Sequence, residues 1–182
     1  MLLSQAFSLI CPLYVIILAS HNYDDFVFSA NILSISIAGA LFILNDLGLY
    51  QLIIKKISDT RNDKKLINQL ISLIYCQRFM MVVISLLIVI FISEIGNYEK
   101  IQKYLFIVLV GIVSQAFQPI WFFQALENVK FYCLVNIFSK IVNASLVTYL
   151  IFNDQNSYAL VIGFAISNLL MFFLLNIFLI NS

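Results

Sequence analysis

An all-α polytopic membrane fold with six transmembrane helices is the architecture this sequence predicts, and three observations predict it. Of 182 residues, 63% are hydrophobic and only 10% charged, whereas a soluble domain carries about a quarter charged residues. Mean hydropathy is +1.02, so the solvent of most side chains is lipid. The apolar residues gather into six runs that are long enough to cross a hydrocarbon core about 30 Å thick. The connections between them are too short to fold alone, so residues 1–182 make a single transmembrane domain.

The predicted helices cover about residues 2–19, 26–54, 66–92, 104–124, 131–152 and 158–180. The first is interrupted by Pro12. It lacks the basic lead-in and small-residue cleavage site of a signal peptide, so it reads as a retained helix. A polar turn, His21–Asp25, separates it from the second. The third follows the one strongly charged loop, Lys55–Lys65, and closes at Glu94–Lys100. The fourth carries Gln115, Gln118, Pro119 and Gln124 through its apolar run, then gives way to Leu126–Lys130. The fifth and sixth flank a short turn at Asn153–Ser157.

Composition also excludes functions. The net charge is +1, which argues against nucleic acid as a partner, because such a surface needs a basic patch. His21 is the only histidine, and Cys11, Cys76 and Cys133 sit singly in apolar runs. Neither a metal site nor a histidine-based catalytic triad is expected, and no cofactor is implied; the cysteines read as small packing residues.

Orientation follows from the basic residues. Lys55, Lys56, Arg61, Lys64, Lys65 and Lys130 lie in the loops after the second and fourth helices. Asp24, Asp25, Glu94, Glu99 and Asp154 lie in the others. The positive-inside rule makes the first set cytoplasmic, with both termini on that side.

Polar residues inside the spans point past a passive anchor, since each must find a partner where water is scarce. Counting about 1.5 Å per residue from the basic ends puts Asp46 roughly 12 Å deep, Lys140 roughly 15 Å and Arg78 roughly 18 Å. Three helices thus bring ionisable groups to one layer, where they are expected to face one another or water. Asn31, Ser34, Ala38 and Asn45 share a face of the second helix, and Gly111, Ser114, Gln115, Gln118 and Phe122 make a similar stripe on the fourth. Asn136 and Asn143 flank Lys140 at helical spacing. Ala159, Gly163 and Ser167 suit close helix packing on the sixth. Each feature has a plainer reading. Asp46 could brace Arg78 or Lys140 as a buried strut, Lys140 could snorkel, and the glutamines could only bond neighbouring helices. Trp121 reads as an interfacial anchor, and Pro119 as a proline that loosens the last turn.

Pro119-Ile-Trp-Phe-Phe-Gln-Ala-Leu-Glu-Asn-Val-Lys130, followed by Asn136-Ile-Phe-Ser-Lys140, resembles helices four and five of bacterial polysaccharide-biosynthesis flippases. These are the O-antigen and lipid-linked oligosaccharide exporters of the multidrug/oligosaccharidyl-lipid/polysaccharide superfamily. Asn45-Asp-Leu-Gly-Leu resembles the family's Asp-Phe-Gly segment. The chain departs at Ala125, where glycine is usual, and in having one six-helix lobe where the MATE-like family fold has two. The resemblance implies an N-terminal lobe completed by a C-terminal lobe or a second copy.

It further implies flipping, across a bacterial inner membrane, of an isoprenoid pyrophosphate carrying a surface-polysaccharide repeat such as that of lipopolysaccharide. No covalent bond is made or broken, so no enzyme chemistry is expected. Arg78 and Lys140 would meet the pyrophosphate, and Asp46 would hold or discharge one cation. Gln115, Gln118, Asn143 and Asn45 would line the cavity. Membrane lipid, the lipid-linked oligosaccharide and other polysaccharide-assembly proteins are the implied partners. The competing readings are a cation-coupled multidrug exporter, which wants acids in the cavity, a membrane-embedded transferase or polymerase, and an inactive half-transporter.

Overall fold

The computed structural model describes residues 2–46, 54–57, 64–95, 99–125, 129–153 and 157–181. These are helical, with no strand among the described residues. In chain order the helices are α1 (Leu2–Asn22), α2 (Asp25–Asp46), α3 (Lys64–Ile95), α4 (Glu99–Ala116), α5 (Ile120–Ala125), α6 (Val129–Asn153) and α7 (Ala159–Asn181). They supply six segments long and apolar enough to cross a membrane, the fourth running through α4 and α5 together. The chain is therefore a multi-pass membrane protein. Large apolar side chains such as Leu9, Ile43, Leu73, Phe91 and Leu134 point outward, as they should where the surroundings are hydrocarbon.

The boundaries follow local chemistry. Asp24 precedes α2 and its carbonyl accepts the Phe28 N–H at 2.9 Å; Asp24 and Asp25 also suit the positive end of the helix dipole. Helix α1 continues through Pro12, a position where a freed carbonyl is tolerated only within a supported helix. The predicted continuation of the second helix through Gly48 and Tyr50, the loop core at 58–63 and the Glu127-Asn128 part of the family-like motif lie outside the described residues.

Helix α7 is the hub. It packs most extensively against α4 and α6, while α6 in turn carries α1, and α2 rests mainly on α4. Sequence neighbours α1 and α2 scarcely touch. The fourth span is 56% buried and the first only 17%, so α4–α5 lies at the centre and α1 at the rim.

Two glycines allow the close approaches. A Cβ on Gly111 would stand 2.5 and 2.7 Å from ring carbons of Phe164, and one on Gly163 would stand 2.6 Å from Asn143 Oδ1 and collide with Val147 Cγ2. Ala159 and Ser167 are buried along the same helix as Gly163, so the predicted small-residue stripe of α7 is a packing seam.

Polar residues fasten the bundle. Asn31 on α2 is wholly buried. Its Nδ2 donates to the Ser157 carbonyl at 2.8 Å, and its Oδ1 accepts the Val161 N–H at 3.3 Å. It thereby satisfies one of the N–H groups that a helix start leaves unpaired. Asn136 on α6 donates to Ser4 and Ser8 of α1 at 3.0 and 2.9 Å. The predicted stripe Asn31, Ser34, Ala38 and Asn45 is buried throughout, turned into the bundle.

Candidate functional site

The fourth span does not run straight through. It breaks at Phe117–Pro119, because Pro119 has no N–H to give and its ring crowds the carbonyl four residues back. The sequence reading of a merely loosened last turn understates this. Inside a membrane a carbonyl so released must be satisfied by protein, and those of residues 115–119 are. Gln115 O accepts Gln118 N–H at 3.3 Å, and Pro119 O accepts Phe122 N–H at 3.1 Å. Phe117 O accepts Asn176 Nδ2 at 3.3 Å. Arg78 Nη1 donates to Ala116 O and, at 3.4 Å, to Gln118 O.

The supporting side chains come from α3 and α7. Tyr75 lies one turn before Arg78; its ring stacks on Phe117 at 6.0 Å and meets Trp121 edge-on at 6.4 Å. The Tyr75 hydroxyl donates to Asn176 Oδ1 at 2.8 Å, which fixes the amide that holds Phe117. Gln118 Nε2 reaches both the carbonyl and Oδ1 of Asn168 at 3.3 Å. Asn168 and Asn176 are eight residues apart and so share a face of α7.

Above this clasp opens a cleft of about 230 Å³ lined by Phe42, Arg78, Gln115, Gln118, Ile120, Gln124 and Tyr132. All three glutamines of the fourth span therefore border one space with the buried arginine. The amides of Gln115 and Gln124 have no hydrogen bond to a described residue, leaving their donors and acceptors turned to the cleft. A larger groove of about 670 Å³ between α2 and the α3–α4 pair is walled by Phe28, Ile32, Ile37, Ile92 and Leu105. It offers hydroxyls alone as polar groups.

The other predicted site residues are placed differently. Asn45 is buried and accepts a hydrogen bond from Ser85 of α3 at 3.1 Å, with its Nδ2 unpartnered. Asn143 faces Gly163, and its Oδ1 is buried without a partner. Neither lines the cleft, because both project into helix–helix seams. Lys140 lies on α6, half-buried, without a hydrogen bond or ion pair to a described residue; it too stands outside the cleft lining. Of Asp46 only the backbone is described, at the end of α2. Of the expected layer of Asp46, Arg78 and Lys140, the Asp46 side chain lies outside the described residues, and Lys140 is not among the residues that line the cleft with Arg78.

One further correction concerns Trp121. It is 1% exposed, packed with Ile57, Ile74 and Phe122, and so is a core residue and not an interfacial anchor. The first turns of α3 carry Ile67, Leu70, Ile71 and Ile74 into the same cluster. Arg78, farther along α3, is level with the break.

Tyr75, Tyr132, Asn168 and Asn176 were not singled out by sequence. The amide pair on α7 and the Tyr75/Arg78 spacing on α3 were signals of the same kind as the glutamines. No protein-family model, curated protein or solved structure matches this chain.

Proposed function

We propose that this chain is a transporter lobe of the polysaccharide-flippase type, carrying an isoprenoid-pyrophosphate-linked oligosaccharide across a bacterial inner membrane by alternating access. The observation that carries the reading is one cleft, at a helix break within the spans, bordered by a buried arginine and three glutamines. Discontinuous membrane helices are the usual place for a transporter to expose polar groups to cargo. A guanidinium suits phosphate oxygens, and carboxamides suit sugar hydroxyls. The resemblance of Pro119–Lys130 to the flippase motif supplies the class of cargo.

In this reading Arg78 meets the pyrophosphate, Gln115 and Gln124 meet the first sugar, and Tyr132 offers its hydroxyl or ring face to that sugar. Lys140 and Asp46 serve the path away from the cleft. The ends bearing Lys55, Lys65 and Lys130 face the cytoplasm, as do both termini, and a second lobe or second copy completes the cavity. No bond is made or broken, so the chain acts as a carrier.

Complementation of a strain lacking surface-polysaccharide export tests the cargo. Arg78→Gln is expected to abolish export while membrane insertion persists, and Gln115→Leu/Gln124→Leu to reduce it. Full export by Arg78→Gln removes the cleft from the transport path. Efflux of cationic drugs without glycan export would favour the multidrug reading. Orientation is tested with single cysteines at Lys130 and Glu94 after replacing Cys11, Cys76 and Cys133. Labelling of position 94 alone by an impermeant maleimide in whole cells is expected, and the reverse pattern would invert the topology.

A further inference from the structure

Arg78 does two things in one place: it lines the cleft and it closes the break. We infer that Arg78 is a latch, exchanging between the Ala116 and Gln118 carbonyls and an oxyanion in the cleft, and that the exchange releases α5. The inference rests on the anionic cargo proposed above.

The energetic order favours exchange. A guanidinium pairs with an oxyanion through short, often bidentate hydrogen bonds and gains a charge–charge attraction in a dry site that neutral carbonyls do not offer. Of the two carbonyls it leaves, that of Gln118 borders the cleft, where water entering with the cargo takes the place of Arg78; that of Ala116 is buried and sets the cost of the exchange. Asn176 remains on Phe117 O, held by Tyr75, so the C-terminal end of α4 keeps one fixed point. The segment that gains freedom is α5. Its six residues are too few to persist as a helix unsupported, and Arg78 ties the break immediately before it to α3. Its own anchors are the cluster around Trp121 and the packing of Phe123 on α6 and α7. Since Phe123 of α5 packs on Phe131 of α6 with ring centroids 5.6 Å apart, displacement of α5 pulls on the helix that carries Tyr132 and Lys140.

Trp121 is the only tryptophan of the chain and lies on α5, so its fluorescence reads the latch without a label. The full chain in phosphatidylcholine nanodiscs is titrated with farnesyl pyrophosphate, with farnesol as the uncharged control, and binding is followed by calorimetry. The expected result is a saturable red shift of Trp121 emission and a roughly twofold rise in acrylamide quenching with the pyrophosphate alone, as for a ligand that shifts a two-state equilibrium. Arg78→Gln is expected to show the raised quenching before any addition and no further change. Binding heat with an unmoved Trp121 signal overturns the latch and leaves the cargo reading standing. No binding heat overturns both. Normal quenching in Arg78→Gln also overturns the latch; if that variant does not insert, the titration of the unsubstituted chain decides.

Discussion

Replacing Asn31 by alanine removes a side chain that hydrogen-bonds α2 to the start of α7. Two tertiary hydrogen bonds disappear: Asn31 Nδ2 to Ser157 O at 2.8 Å and Val161 N–H to Asn31 Oδ1 at 3.3 Å. Their consequences differ. Ser157 is half-buried, so its carbonyl can turn to water at a modest loss, near 0.5–1.5 kcal/mol for an ordinary hydrogen bond. Val161 is fully buried, so its N–H loses its partner with nothing in exchange, a penalty of about 1–3 kcal/mol. The sum is about 2–4 kcal/mol, large for a single side chain in a membrane protein, where interhelical hydrogen bonds average about 0.6 kcal/mol. The excess arises because the acceptor lost is a helix cap. Detergent-titration unfolding of the full chain, read by far-ultraviolet circular dichroism, measures it. A loss below about 0.5 kcal/mol would refute the capping argument, since it would mean that the Val161 N–H finds another acceptor at no cost.

Other outcomes follow from the same contacts. Gly163→Ala is expected to destabilise by about 1–2 kcal/mol despite the better helix propensity of alanine, because Val147 is β-branched and its χ1 is fixed within α6; Gly111→Ala costs less, as the Phe164 ring can swing. Both are read by the same titration. Asn136→Leu removes the bonds to Ser4 and Ser8 and is expected to cost about 1 kcal/mol, with faster proteolysis of α1 as a second readout. Burial pushes the Tyr23 hydroxyl, in the turn between α1 and α2, up from 10.0 to about 12, partly offset by the Ala159 backbone N–H. The unfolded chain therefore releases this proton first, and stability should fall between about pH 10 and pH 12. Tyr23→Phe should remove that part of the slope, measured as the difference between the two chains.

The spans were legible because lipid imposes a composition that no soluble fold shares, and the described helix ends fall within about five residues of the predicted ones, except that α2 is described only to Asp46 where the prediction ran to 54. The central break was half legible. Gln115, Gln118, Pro119 and Gln124 marked an irregular place, and the three glutamines do meet around one cleft. What periodicity could not supply was the direction in which a polar residue in a span turns. Asn45 and Asn143 looked equivalent to the glutamines, yet face Ser85 and Gly163, since a neighbouring helix can offer a seam as readily as water. Trp121 was misread for a related reason. Its fate depends on the apolar start of α3, where Ile67, Leu70, Ile71 and Ile74 join the cluster that covers it, a contact that periodicity within the fourth span does not carry.

The thin attachment of α1 has a consequence for biogenesis. Its main partner is α6, not the adjacent α2, and its bond from Asn136 to Ser4 closes over 132 residues of chain. At roughly 5–20 residues per second of synthesis, the first helix waits on the order of ten seconds in the bilayer before the helix that will hold it exists. It is also the least apolar of the six spans. During that interval Ser4 and Ser8 have no interhelical partner from α6, which makes the newborn α1 the point at which membrane quality control would first engage this chain.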